Sequence, residues 1–242
     1  MSASIRNEEA PVRAVHIFRR FTLSQRWEHW ILLLSGSILL LTGLPQKYRT
    51  ASWSQYILST PDRVKAIQTI HHIAAAFLIL LVLYHLGKGT VLLARRKLPG
   101  DIFPNRKDLI DAWKMVKFLL FISKEKPVYG KYNFEQKVTY WFLFFGIGIM
   151  VVSGLILLFP IFVTRFLPGG VVPAALMSHS TEAVVAMIFV VIWHFYHVHL
   201  ERLNLSIFTG KLNEDEMKKY HALEYKRLMA QTQKETETGG KS

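Results

Sequence analysis

Residues 178–200 read SHSTEAVVAMIFVVIWHFYHVHL. From Thr181 to Leu200 the stretch is apolar and long enough for a bilayer crossing, which takes about 20 predominantly apolar residues in a helix. His179 stands at its start and His194 lies within it. Ionisable side chains at such depth are costly and mark functional positions by default. The two histidines are 15 positions apart. At about 100° and 1.5 Å per residue, they fall within about 60° of one face and about 22 Å apart along the axis. One helix thus presents two histidines to one side, at two depths.

Three further stretches have the same character: Trp27–Leu44, Ile70–Leu93 and Val138–Val163. The first is the weakest, because Glu28 and His29 sit at its start. Hydrophobic residues make up 51% of the 242 positions and charged residues only 19%. The fold predicted is all-α, an integral membrane four-helix bundle spanning residues 26–201, with no internal repeat evident. No cleavable leader is expected, since a long basic segment precedes the first apolar run and no small-residue cleavage site follows it. Cysteine is absent, which excludes disulfides, iron–sulfur clusters, cysteine-held zinc and thioether-linked haem within this chain. Metal chemistry here must use histidine or carboxylate.

The net charge of +13 invites a nucleic-acid reading, but its distribution favours a membrane. The N-terminal lead, the loop from Ala94 to Asn133 and the C-terminal tail carry 23 of the 30 Lys and Arg, whereas Pro45–Thr69 and Thr164–Ser178 carry five. That is the positive-inside pattern. It places both termini and the loop 94–135 in the cytoplasm, giving a multi-pass bacterial inner-membrane protein. Residues 1–25 form a cytoplasmic lead, disordered over 1–12, with Arg13, Arg19, Arg20 and Arg26 near anionic headgroups. Within the loop, Asn105–Ile122 has apolar residues at Leu109, Ile110, Trp113, Val116 and Leu120, which predicts an amphipathic helix on the membrane surface. Residues 202–242 are a polar tail containing a charged helix, Glu214–Lys234. Glycines within spans, Gly36, Gly43, Gly146, Gly148 and Gly154, leave room for close approach of a helix or a flat cofactor.

Ten histidines are present. Span two repeats the arrangement of span four: His71 and His85 are 14 apart and share a face. Span one enters from the inside, so His29 joins the inner level. The outer group is then His71, His72 and His179, and the inner group His29, His85 and His194. Axial ligation of a b-type haem needs two histidines at one height on facing helices, and both levels supply them. Two schemes fit. His71 and His179 hold the outer haem in both; His194 pairs with His29 in one and with His85 in the other. Spacing slightly favours His85, since two helices would then bind both haems.

Several motifs look familiar. Arg26-Trp27-Glu28-His29-Trp30, Ile70-His71, Gly130-Lys131-Tyr132-Asn133-Phe134-Glu135-Gln136-Lys137, Trp193-His194-Phe195-Tyr196 and the tail around Tyr220–Tyr225 resemble the cytochrome b (gamma) subunit of respiratory formate dehydrogenases. The resemblance runs from about residue 19 to 228, and related di-haem subunits serve hydrogenases and multihaem cytochrome c complexes. It implies His29, His71, His179 and His194 as the haem iron ligands, with His85 a neighbour in reserve. One departure is the His179–His194 spacing, one residue longer than in the formate enzyme's pattern. It also implies a quinone pocket at Tyr132, Asn133 and Gln136 beside His194, while the local alternative for Asn133 is a helix cap. The cofactors implied are two haem b, with menaquinone or ubiquinone as the quinone. The partner implied is an extracytoplasmic redox subunit, an iron–sulfur protein or a multihaem cytochrome c. The function implied is electron transfer between that partner and the quinone pool, so the chain serves an oxidoreductase complex and has no substrate chemistry beyond the quinone. Rival readings are a stand-alone di-haem quinol oxidase, and a small transporter or structural anchor with proton-relay histidines.

Overall fold

The computed structural model describes residues 17–200 and 203–239; the expectations for residues 1–12 and for Arg13 lie outside them. Four helices are long and apolar enough to cross a membrane: α1 (Leu23–Lys47), α3 (Pro61–Ala94), α5 (Phe134–Leu158) and α7 (Val171–Leu200). Their starts follow from local chemistry. Thr22 caps α1 in a reciprocal box with Gln25, and Thr60 caps α3 with Pro61 in the first turn, where a missing N–H costs nothing. That cap starts span two nine residues before its apolar run. Span three ends at Leu158, not Val163, because Pro160 cannot continue the ladder; Pro160–Val163 forms a separate short turn, α6. Span four begins at Val171, ten residues earlier than its apolar run.

The bundle is two helical hairpins. Helix α1 packs on α3 and α5 on α7, and α1 also touches α7. A short helix, α2 (Ser52–Ile57), closes the first hairpin, with fully buried Ser54 donating to the Pro45 carbonyl at 2.6 Å. The C-terminal part of α7 departs from α geometry: Phe189–His194 and Tyr196–Leu200 have π-helical turns. Such wide turns absorb an extra residue without breaking the helix and cluster at functional sites.

At one end of the bundle the basic segments meet. β1 (Ile17–Arg19) pairs antiparallel with β2 (Lys211–Asn213), Phe18 opposite Leu212. The lead is therefore stitched to the tail as a strand, which the sequence reading did not foresee. Helix α8 (Ser206–Thr209) precedes β2, and Gly210, at φ +78°, turns the chain between them. The tail helix is split by His221 into α9 (Glu214–Tyr220) and α10 (Ala222–Gly239). The loop joins the same assembly: His221 Nδ1 lies 2.9 Å from the Gly130 carbonyl, and Leu223 N donates to Tyr129 O. Helix α4 (Arg106–Leu119) is capped by Asn105 and held through Asp108, which pairs with buried Lys137 at 3.0 Å. Met115 is buried, while most of its other large apolar residues face outward; Leu109 is 75% and Trp113 60% exposed.

Candidate functional site

His71 on α3 and His179 on α7 face one another in the half of the bundle away from the termini. Their ring centroids are 6.4 Å apart and their planes 67° to each other. The Nδ1 of His71 is 2.8 Å from Thr42 Oγ1. The Nδ1 of His179 is 3.0 Å from Ser153 Oγ and 3.1 Å from the Met150 carbonyl. Among the described residues, that leaves Nε2 as the uncommitted nitrogen on each ring. His72, one position on, is exposed, with its ring 6.4 Å from that of His71.

In the other half, His29 and His194 line a common cavity of about 1360 Å³. The His29 ring packs edge-on against Phe208 at 5.5 Å, and its Nδ1 is buried without a partner among the described residues. Trp193, next to His194, is fixed to α5 by a 3.0 Å bond from its indole N–H to Thr139.

His85 stands differently. Its Nδ1 lies 2.7 Å from Glu28 Oε2 and its Nε2 3.1 Å from the Tyr140 hydroxyl, so both nitrogens are engaged. Lys88 and Ser24 donate to the other Glu28 oxygen at 2.7 and 2.8 Å. Glu28, Lys88 and Tyr140 were not singled out by sequence as a group. The available signal was a carboxylate and an ammonium inside two apolar helices, which normally pair when they occur there.

Tyr132, Asn133 and Gln136 line the same cavity as His194. Asn133 caps α5: its Oδ1 accepts from Gln136 N at 2.8 Å, and its Nδ2 donates to Glu135 at 2.7 Å. Gln136 Oε1 accepts from Asn133 N, which leaves the Gln136 Nε2 outside the capping box. The Tyr132 ring sits under Arg20, 5.1 Å from the guanidinium. Burial pushes its phenol above the usual range although Arg20 opposes the shift, so the hydroxyl stays protonated and able to donate.

The description of prokaryotic cytochrome b561 fits residues 20–210. The chain belongs to the prokaryotic cytochrome b561 family. As a membrane cytochrome b, it is an electron-transport protein whose family carries haem b. It is 26% identical to the formate dehydrogenase cytochrome b556(fdo) subunit of Escherichia coli over 222 residues, 90% of this chain and 96% of that one. It is 24% identical to the nitrate-inducible formate dehydrogenase cytochrome b556(Fdn) subunit of Escherichia coli, over 87% of this chain and 92% of that one. A third relative is the formate dehydrogenase cytochrome b556 subunit of Haemophilus influenzae, 25% identical over 65% of this cytochrome and 61% of the relative.

The residues of this cytochrome b suit haem. A metal–imidazole bond of about 2 Å on each side, plus roughly 1.1 Å from each nitrogen to its ring centroid, spans about 6.2 Å, close to the His71–His179 separation. Gly43 and Gly154 lie close to one edge of each ring; an added Cβ would stand 3.4 Å from His71 Cε1 and 3.1 Å from His179 Cε1. The cavity that His29 and His194 line reaches along the bundle to Ser153 and Ser178 and exceeds the roughly 300–1,000 Å³ of ordinary small-molecule sites, so it has room for a macrocycle.

Proposed function

We propose that this cytochrome b is the membrane subunit of a formate dehydrogenase-like complex and carries electrons between an extracytoplasmic redox partner and the quinone pool at the cytoplasmic face. The observation that carries this reading is the His71–His179 pair, 6.4 Å apart with both Nδ1 atoms bonded and both Nε2 atoms available. His71 and His179 would hold an outer haem, and His29 and His194 an inner one. Haem b, when bound, supplies reversible one-electron transfer. His85 stays outside the ligand set because Glu28 and Tyr140 occupy its two nitrogens. The basic lead, loop and tail meet at one end of the bundle, which the positive-inside pattern assigns to the cytoplasm.

The quinone would enter the cavity at that end. The protonated Tyr132 phenol and the Gln136 amide are donors for a quinone carbonyl, and Asn133 holds the first turn of α5 in place for them. Reduction takes up two electrons and two protons and yields the quinol; the protons come from the cytoplasmic side. The same groups serve the reverse direction. The relatives are subunits of formate dehydrogenases, and the external partner would be an iron–sulfur protein or a multihaem cytochrome c.

The test is reduction of the oxidised, purified complex by a quinol analogue, followed at the b-haem α-band. Wild type reduces. His194→Ala abolishes the reduction, and Tyr132→Phe with Gln136→Ala slows it at least tenfold with haem content unchanged. Undiminished quinol reduction in both variants would contradict the quinone site.

A further inference from the structure

The two hairpins handle their histidines alike. In the first, Thr42-Gly43 of α1 lies against His71 of α3. In the second, Ser153-Gly154 of α5 lies against His179 of α7. Both hydroxyl residues are buried, Thr42 at 6% exposure and Ser153 at 4%. Each hydroxyl already donates to the carbonyl one turn back: Thr42 to Ile38 O at 2.7 Å, Ser153 to Ile149 O at 2.6 Å. A hydroxyl has one proton and two lone pairs. Towards the imidazole each oxygen can therefore only accept, and each histidine must donate through Nδ1–H. At His179 the Met150 carbonyl, 3.1 Å from the same nitrogen, requires the same tautomer. The far nitrogen, Nε2, then carries the lone pair on both rings. Gly43 and Gly154 complete the cradle by leaving the space each ring edge fills. The match recurs across unequal separations, 29 residues in one hairpin and 26 in the other.

We propose that Thr42 and Ser153 are matched positioning residues for the haem that His71 and His179 hold, fixing the tautomer and plane of each ring and lowering that haem's potential. The inference rests on the ligand reading given above. An imidazole whose Nδ1–H donates to a fixed oxygen is a stronger base at its other nitrogen. Stronger donation to iron favours the ferric state, so these two bonds act in one direction. The inner pair has no such device on His29, whose Nδ1 is buried without a partner among the described residues. The inner site is therefore an internal control.

The experiment is a potentiometric titration with low-temperature EPR on the full-length, haem-loaded protein carrying Thr42→Val or Ser153→Ala. One of the two haem components moves to higher potential, its ferric-to-ferrous ratio at fixed potential falling about fivefold per variant, about 40 mV for a one-electron couple. Its EPR signal, which reports ring orientation, shifts with it, and the other component stays put. Thr42→Ser and Ser153→Thr keep the hydroxyl and restore both signals. Loss of one haem in the hydroxyl-deleting variants but not in the hydroxyl-keeping ones leads to the same conclusion. Unchanged potentials and EPR in both deletions overturn the proposal, as do equal shifts in the hydroxyl-keeping swaps. His71→Ala separates the two levels: if it loses no haem, the ligand reading fails. If it loses one while Thr42→Val changes nothing, only this inference fails.

Discussion

His29 and His85 both stand in the terminal half of the bundle, and their nitrogens distinguish them. His85 is bonded at both ends, to Glu28 and Tyr140, while His29 Nδ1 is buried and unpartnered among the described residues. His85→Ala is expected to keep both haems, and His29→Ala to lose one, read as haem per chain after extraction. The positions of the histidines were legible in the sequence, because helical spacing alone sets their heights. Spacing did not choose between His29 and His85; the motif resemblance did, and the bonds that set His85 apart come from Glu28 and Tyr140, 57 and 55 positions away, which no spacing announces. Asn133 shows the converse: its capping box with Gln136 is local, and the Asn-x-x-Gln pattern announces it. The glycines divide likewise. Gly154→Ala would force the His179 ring from its place, costing about 1–3 kcal/mol and lowering haem occupancy, whereas Gly148→Ala meets nothing within 4 Å. Thermal unfolding and haem content of the two variants measure the contrast.

Within the bundle, α1 and α3 are clamped at the terminal end by Glu28, which takes bonds from Lys88, Ser24 and His85. Glu28 keeps 13% of its side-chain exposure and Lys88 32%. Lys88→Met would leave a poorly compensated carboxylate and cost about 2 kcal/mol, below the roughly 3–5 kcal/mol of a fully buried pair. Adding Glu28→Gln removes the stranded charge and is expected to recover at least half of that loss in thermal unfolding. No recovery would show that the ammonium's packing matters more than the pairing. The four spans were readable because apolar length is a property of one segment. Their ends were set by caps and breakers, Thr60-Pro61 and Pro160, which composition windows blur. The β1–β2 pairing was invisible, because three-residue strands carry no pattern and their partners lie almost a whole chain apart.

Across the whole molecule, charge and topology agree. The lead, the loop and the tail assemble at one end through β1–β2 and the His221–Gly130 contact. A fluorescent reporter that folds only in the cytoplasm should glow when fused after Ser242 and stay dark when fused in the 164–170 connection; the opposite pattern would invert the proposed orientation. The matching of Thr42-Gly43 with Ser153-Gly154 gives the two hairpins a common plan that side chains in contact show and the linear sequence hides. The central claim is that four histidines hold two haems. Its most direct test is the haem content per chain, with the reduced-minus-oxidised spectrum, of wild type and the single alanine variants of His29, His71, His179 and His194. The account predicts a b-type α-band with two haems per wild-type chain and the loss of one in each variant. A wild type with fewer than two haems, or a variant that keeps both, would contradict it.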